Sequence, residues 1–187
     1  MASNIIVSFD IGIKNLAYCV VILDDSQAIH DICRWEIKDI SNGKGVKIGF
    51  EAICDGVIDA LDDIMKNIKE KYGEAYNVTA YIENQPAVKA PTMKSIQIII
   101  YTYFRLQEKC HPKLVSASTK NRFMQSKGVE VKTKDYRGAK AASIQYITEY
   151  LQNKESMSQH LHTLKASKKK DDLSDCLLQA MAVLDKN

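Results

Sequence analysis

The chain has 187 residues and a mass of 21.1 kDa, the size of one domain. Hydrophobic residues make up 45% and charged residues 26%, a globular balance that excludes disorder, collagen-like repeats and a mini-protein in need of staples. Lysine and arginine total 26 against 23 acids, so the net charge is only +3, and no apolar run reaches the 18 or so residues of a membrane span.

The first predicted element is a strand over Asn4–Asp10, Asn-Ile-Ile-Val-Ser-Phe-Asp, apolar enough to be covered on both faces. Gly12 breaks it. Leu16–Leu23 and Ile29–Ile37 read as two more strands, joined so closely that they must form an antiparallel meander. Ile48–Tyr72 has helical periodicity, with Phe50, Ile53, Val57, Leu61, Ile64, Ile68 and Tyr72 on one face. Val78–Glu83 is a fourth strand, ended by Asn84-Gln85-Pro86. Met93–Glu108 is apolar nearly all round, which predicts a helix buried on several sides and marks it as a candidate dimer interface.

Lys113–Ala117 reads as a fifth strand, and Ser118 or Thr119 can cap a helix starting near Lys120. Gly128–Thr133 reads as a loop and Tyr136–Leu151 as a helix. Gln152–Lys170 is expected to be polar and mobile, and Asp171–Leu184 to be the final helix. Meander strands followed by strands alternating with helices predict an α/β fold. Its sheet is mixed and five-stranded, a three-strand antiparallel meander plus two parallel strands, flanked by helices.

The five cysteines, Cys19, Cys33, Cys54, Cys110 and Cys176, contain no CxxC pair and read as reduced thiols of an intracellular protein. The first residues show neither a secretory signal nor the arginines of a mitochondrial transit peptide. Charge is unevenly spread. Residues 109–140 carry nine basic and two acidic side chains, whereas residues 1–108 carry 11 basic and 15 acidic. A basic block on an otherwise acidic chain is the pattern of phosphate binding.

Three acidic positions fall at the ends of core elements. Asp10 closes a very apolar strand, Glu83 closes another, and Asp171, Asp172 and Asp175 open the last helix. Asp172 and Asp175 are i, i+3 and Asp171 and Asp175 are i, i+4, so either pair projects from one side. Two strand ends and a helix face can bring four carboxylates together. Such an all-oxygen set suits Mg²⁺ or Mn²⁺, and two ions about 4 Å apart can align in-line attack on phosphorus.

Ser-Phe-Asp-Ile-Gly-Ile-Lys-Asn-Leu-Ala (8–17), Tyr-Ile-Glu-Asn-Gln-Pro (81–86) and Lys-Lys-Asp-Asp-Leu-Ser-Asp (169–175) occur in that order. Together they resemble the Holliday junction resolvases of the RuvC group within the RNase H-like superfamily. Ile11-Gly12-Ile13-Lys14-Asn15, where bacterial RuvC usually has Pro-Gly, fits the poxvirus and fungal mitochondrial branch, and the absent transit peptide favours the viral one. The resemblance spans residues 4–185 and implies a single RNase H-like resolvase domain over 1–187. It implies a homodimer that nicks two opposed strands of a branched, four-way DNA junction, with no organic cofactor and no membrane association. Two Mg²⁺ ions per site, replaceable by Mn²⁺, would be held by Asp10, Glu83, Asp172 and Asp175. Asp171 and Asp172 are adjacent candidates, and the i, i+3 spacing selects Asp172.

Lys14, Asn15, Lys120, Arg137, Lys140 and the run Lys168, Lys169, Lys170 are the implied DNA contacts. A viral resolvase would work in the host cytoplasm. His160 and His162 read as part of a solvated loop. Asp10-Ile11-Gly12 also resembles the first phosphate loop of the actin, sugar kinase and heat-shock ATPase group. Those proteins need two such domains, and no second such loop is present here. The alternatives are a non-catalytic branched-DNA-binding protein and an RNase H-like nuclease acting on another branched or hybrid substrate.

Overall fold

A computed structural model of the chain describes residues 2–129 and 136–185. Apolar strands build its centre. β1 (Ser3–Asp10), β2 (Leu16–Leu23), β3 (Ile29–Lys38), β4 (Tyr76–Glu83) and β5 (Cys110–Val115) form one sheet in the order β3-β2-β1-β4-β5. β1 and β2 pair antiparallel, as do β2 and β3, while β1–β4 and β4–β5 are parallel. This is the mixed sheet expected from the sequence.

Strand alternation splits the core in two. On one face Ile5, Val7, Phe9, Leu16, Tyr18 and Val20 pack under α1 (Phe50–Tyr72) and α2 (Pro91–Leu106). On the other, Ile6, Ala17, Cys19, Val21 and Tyr81 pack under α3 (Ser118–Ser126), α4 (Tyr136–Asn153), α5 (Ser158–Ala166) and α6 (Lys170–Leu184). Gly56 lets α1 approach the chain after β3: a Cβ there would sit 2.3 Å from the Ile40 carbonyl oxygen.

Four expectations need correction. β5 runs over Cys110–Val115, ahead of the predicted Lys113–Ala117, because its parallel register with β4 decides where it begins. Ala117 is the residue before α3, and neither Ser118 nor Thr119 caps the helix; Thr119 is buried instead. The 152–170 segment is not simply polar. It carries a 3₁₀ turn and α5, whose Met157 and Leu164 are buried in the second core. In sequence those two apolar residues are diluted by their polar neighbours.

The fourth concerns α2, which buries Ile96, Gln97, Ile100 and Phe104 along one side and leaves Ile98 and Leu106 54% and 79% exposed. Burial on several sides therefore does not hold within one chain. Residues 130–133 of the predicted loop, and Glu130, Lys132, Lys134 and Asp135 of the basic block, lie outside the described residues.

Candidate active site

Register places the first two carboxylates. Phe9 and Ile82 are partners in the parallel β1–β4 pair, so Asp10 and Glu83 are the next residues on each strand. They stand about one strand spacing apart, roughly 4.8 Å, at the same end of the sheet. Phe9 and Ile82 belong to the first core, so alternation turns Asp10 and Glu83 toward the α3–α6 face.

α6 supplies the others. Its apolar stripe, Leu173, Cys176, Leu177 and Ala180, is buried against the sheet. Trp35 Nε1 donates to the Leu173 carbonyl at 2.9 Å, and Cys19 Sγ contacts the Cys176 carbonyl at 3.4 Å. Gln179 is buried, and its amide Nε2 donates to Ser8 Oγ at 3.0 Å and to the Phe9 and Tyr81 carbonyls at 3.2 Å. That amide pins α6 where β1 and β4 end and directs Asp172 and Asp175 toward Asp10 and Glu83.

The four carboxylates line one cavity of about 350 Å³, with Lys120 and Asn121 of α3 and Lys140 and Ser143 of α4. Lys120 Nζ stands 2.9 Å from Glu83 Oε2 and 3.2 Å from Asp175 Oδ2, and its side chain is only 12% exposed. Burial alone would lower the Lys120 pKa, but Asp10, Asp175 and Glu83 outweigh it and hold the ammonium above its ordinary range. Ser143 Oγ donates to Asp175 Oδ1 at 2.8 Å. Burial pushes the Asp10 carboxyl up to about 7; Lys120 opposes that rise, and Asp175, Glu83 and Asp172 add to it.

The adjacent candidates on α6 separate. Asp172 lines the cavity, and its carboxyl is raised by burial and by Asp171. Asp171 is paired with Lys140; burial tends to raise its carboxyl, but the Lys140 ammonium holds it below the usual range. Lys140 also lies 3.7 Å from Asp172 Oδ1.

Of the sequence-predicted residues, Asp10, Glu83, Lys120, Lys140, Asp172 and Asp175 therefore meet in one place. Lys14, Asn15, Arg137, Lys168, Lys169 and Lys170 are not among the described lining residues; all but the half-buried Asn15 are exposed. Sequence reasoning missed Ser143 and Gln179. Gln179 had a signal: a polar side chain four residues after Asp175, on the buried stripe of an amphipathic helix. Ser143 had none. His160 is only partly solvated, with Nε2 3.3 Å from Asp31 Oδ1.

The donor set is all oxygen, and a cation already sits among the carboxylates. As they stand, no three acid, histidine or cysteine side chains among the described residues are close enough to grip a metal ion. The Lys120 ammonium takes up Glu83 and Asp175. The site fits a hard cation in donor type, charge and enclosure, provided the ammonium yields its place.

A family described as Poxvirus A22 protein matches residues 4–186. The chain belongs to that family. A relative of this Poxvirus A22 family member, an uncharacterised protein of Acanthamoeba polyphaga mimivirus, is 34% identical over 119 residues. That match covers 56% of this chain, which spans only 28% of the relative's length.

Solved structures share the family member's fold. The yeast mitochondrial Holliday junction resolvase Ydc2 superposes with a TM-score of 0.65 at 15% identity, covering 96% of this chain and 78% of its own. The fowlpox virus resolvase, solved with its substrate Holliday junction DNA, also gives 0.65, at 17% identity and 97% coverage of both chains. The fowlpox enzyme solved as the Holliday junction resolvase gives 0.61 at 17% identity, covering 97% of this chain and 98% of its own.

Proposed function

We propose that this chain is a divalent-metal-dependent endonuclease that resolves four-way DNA junctions by paired, symmetric nicks, acting as a homodimer. One observation carries the reading. In a member of the Poxvirus A22 family, two strand ends and one helix converge four carboxylates on a single cavity flanked by lysines. Two Mg²⁺ ions, or Mn²⁺ in their place, would supply Lewis-acid activation of water and stabilise the leaving oxygen.

The chain's own residues do the rest. Asp10, on the central strand, and Glu83 beside it offer oxygens from the sheet, and Asp172 and Asp175 offer theirs from α6. Ser143 orients Asp175. Lys120 neutralises the carboxylates it touches, and with metal held by those carboxylates its ammonium would be free to meet a phosphate oxygen. Lys140, beside Asp172, meets the DNA backbone at the cavity itself, and the exposed Lys14, Arg137 and Lys168–Lys170, with Asn15, track it outside.

The exposed Ile98 and Leu106 on α2 are the apolar surface a second copy would cover. The five free cysteines suit a reducing compartment, the host cytoplasm for a viral enzyme.

A second reading is a branched-DNA-binding protein without catalysis, favoured by the lysine that already satisfies two of the carboxylates. Incubating the protein with a synthetic four-way junction and a matched duplex, in Mg²⁺ and in EDTA, separates the two. Paired nicks in the junction only, and only with metal, support the resolvase. Metal-dependent cutting of other structures keeps a nuclease and discards the junction. Tight binding without cleavage in any divalent metal leaves the binding protein.

A further inference from the structure

The loop from β3 to α1, residues 39–49, reads Asp-Ile-Ser-Asn-Gly-Lys-Gly-Val-Lys-Ile-Gly. Its backbone is closely specified. The Asp39 carboxylate accepts from the Ser41 amide at 2.8 Å, the Ser41 hydroxyl at 2.5 Å and the Gly43 amide at 3.2 Å. Ser41 Oγ in turn accepts from the Gly45 amide at 2.7 Å. Asn42, Gly43 and Gly45 take φ of 49°, 83° and 61°, left-handed conformations that glycine adopts at no steric cost.

The loop is anchored beside the carboxylates. Ile40 is buried, and its amide donates to the Ile13 carbonyl at 3.0 Å, in the turn that follows Asp10. Lys38 pairs with Leu16 and Asp10 with Ala17, so the loop leaves the sheet at the same end as Asp10. β3 lies two strands from β1, roughly 10 Å.

Gly45 ties the loop to a basic side chain. A Cβ there would stand 2.4 Å from Lys14 Cε, so Lys14 reaches across the glycine. Lys14, Lys44 and Lys47 are all exposed, around a glycine-rich backbone that lets an anion approach closely. The loop's one acid, Asp39, spends its acceptors on the loop itself.

We propose that residues 41–47, together with Lys14, form a second phosphate-binding element that grips the DNA backbone beside the scissile site. This rests on the resolvase reading. Its ligand is a phosphodiester of the bound strand, and a reach of roughly 10 Å along a duplex places it about three nucleotides from the cut.

Fluorescence polarisation of a labelled four-way junction, titrated with salt in EDTA, tests it. Removing Lys44 and Lys47 together (Lys44→Ala, Lys47→Ala) is expected to reduce the slope of log affinity against log salt by about two, at roughly 0.9 per lost contact. Gly45→Ala keeps every charge but adds a Cβ against Lys14 and at a left-handed φ, so it is expected to weaken binding as well. Lys66→Ala, on an exposed part of α1 away from the loop, is the control and should leave the slope unchanged. An unchanged slope in the double variant, while the natural chain binds the junction, overturns the loop assignment alone. Equal losses in the control overturn it too, since any lysine would then serve. Failure of the natural chain to bind the junction overturns the resolvase reading and this element with it.

Discussion

Lys120→Met is the most informative single substitution. It removes an ammonium from between Glu83 and Asp175, at 2.9 and 3.2 Å, where the partner side chains are only 16% and 22% exposed. Breaking a buried ion pair by deleting one partner strands the other and costs about 3–5 kcal/mol. For a chain of this length, 1 kcal/mol moves Tm by about 2–4 °C, so the metal-free variant should melt on the order of 10 °C lower near pH 8. The loss should depend on pH. Burial already pushes the Asp10 carboxyl up to about 7 against the opposing charge of Lys120, and removing that charge raises it further. At pH 5 protonation relieves much of the repulsion, so the gap between variant and natural chain should narrow. Millimolar Mg²⁺ or Mn²⁺ should restore more of the variant's Tm than of the natural chain's, because a metal entering the natural site must displace the ammonium. Differential scanning fluorimetry across pH, in EDTA and in each metal, reads all three effects. A variant as stable as the natural chain in EDTA at pH 8 would refute the role of Lys120 as the ring's internal cation.

The remaining predictions concern neighbouring parts of the same architecture. Asp10→Asn should abolish metal-dependent junction cleavage while leaving binding in EDTA intact; joint loss of both would mark Asp10 as structural. The same substitution should stabilise the metal-free protein. A carboxyl raised from 3.8 to about 7 destabilises the fold as pH climbs through that window, by roughly 4 kcal/mol once it is passed, and amidation removes that cost. A Tm difference that stays flat from pH 4 to pH 8 would contradict this. Gln179→Met deletes the donor shared by Ser8, Phe9 and Tyr81 and should cost about 1–3 kcal/mol in urea unfolding while lowering kcat more than junction affinity. Gly56→Ala drives a Cβ against the Ile40 carbonyl and should destabilise by about 1–3 kcal/mol; a neutral result would mean that α1 slides freely there.

How much of this was legible in the sequence depended on how local the cause was. The five strands and the long helices announced themselves through apolar runs and 3.6-residue periodicity, and the short links between β1, β2 and β3 forced the meander. Asp10, Glu83 and the α6 acids stood out because a charge at the edge of an apolar run is costly unless something compensates it. Long-range facts left no such trace. The sequence marks Lys120 as one member of a basic block; its burial among acids follows from where α3 docks against α6. Met157 and Leu164 each close a patch of core from a polar stretch, and two isolated apolar residues carry no period. Asp171 and Asp172 are alike in residue type, and only helical spacing favoured Asp172 in the sequence; in the fold Asp172 lines the cavity while Asp171 pairs with Lys140.

The attachment of α6 to the sheet has a kinetic consequence. Each bond that seats this helix closes a long loop: Leu173 to Trp35 spans 138 residues, Cys176 to Cys19 spans 157, and Gln179 to Ser8 spans 171. Contacts of such sequence separation carry a large closure entropy and form late in folding. β1, β2 and β3 can pair with one another long before Asp172 and Asp175 arrive. A chain caught part-way would hold Asp10 without the α6 carboxylates, so the four-carboxylate cavity should be complete only as folding finishes.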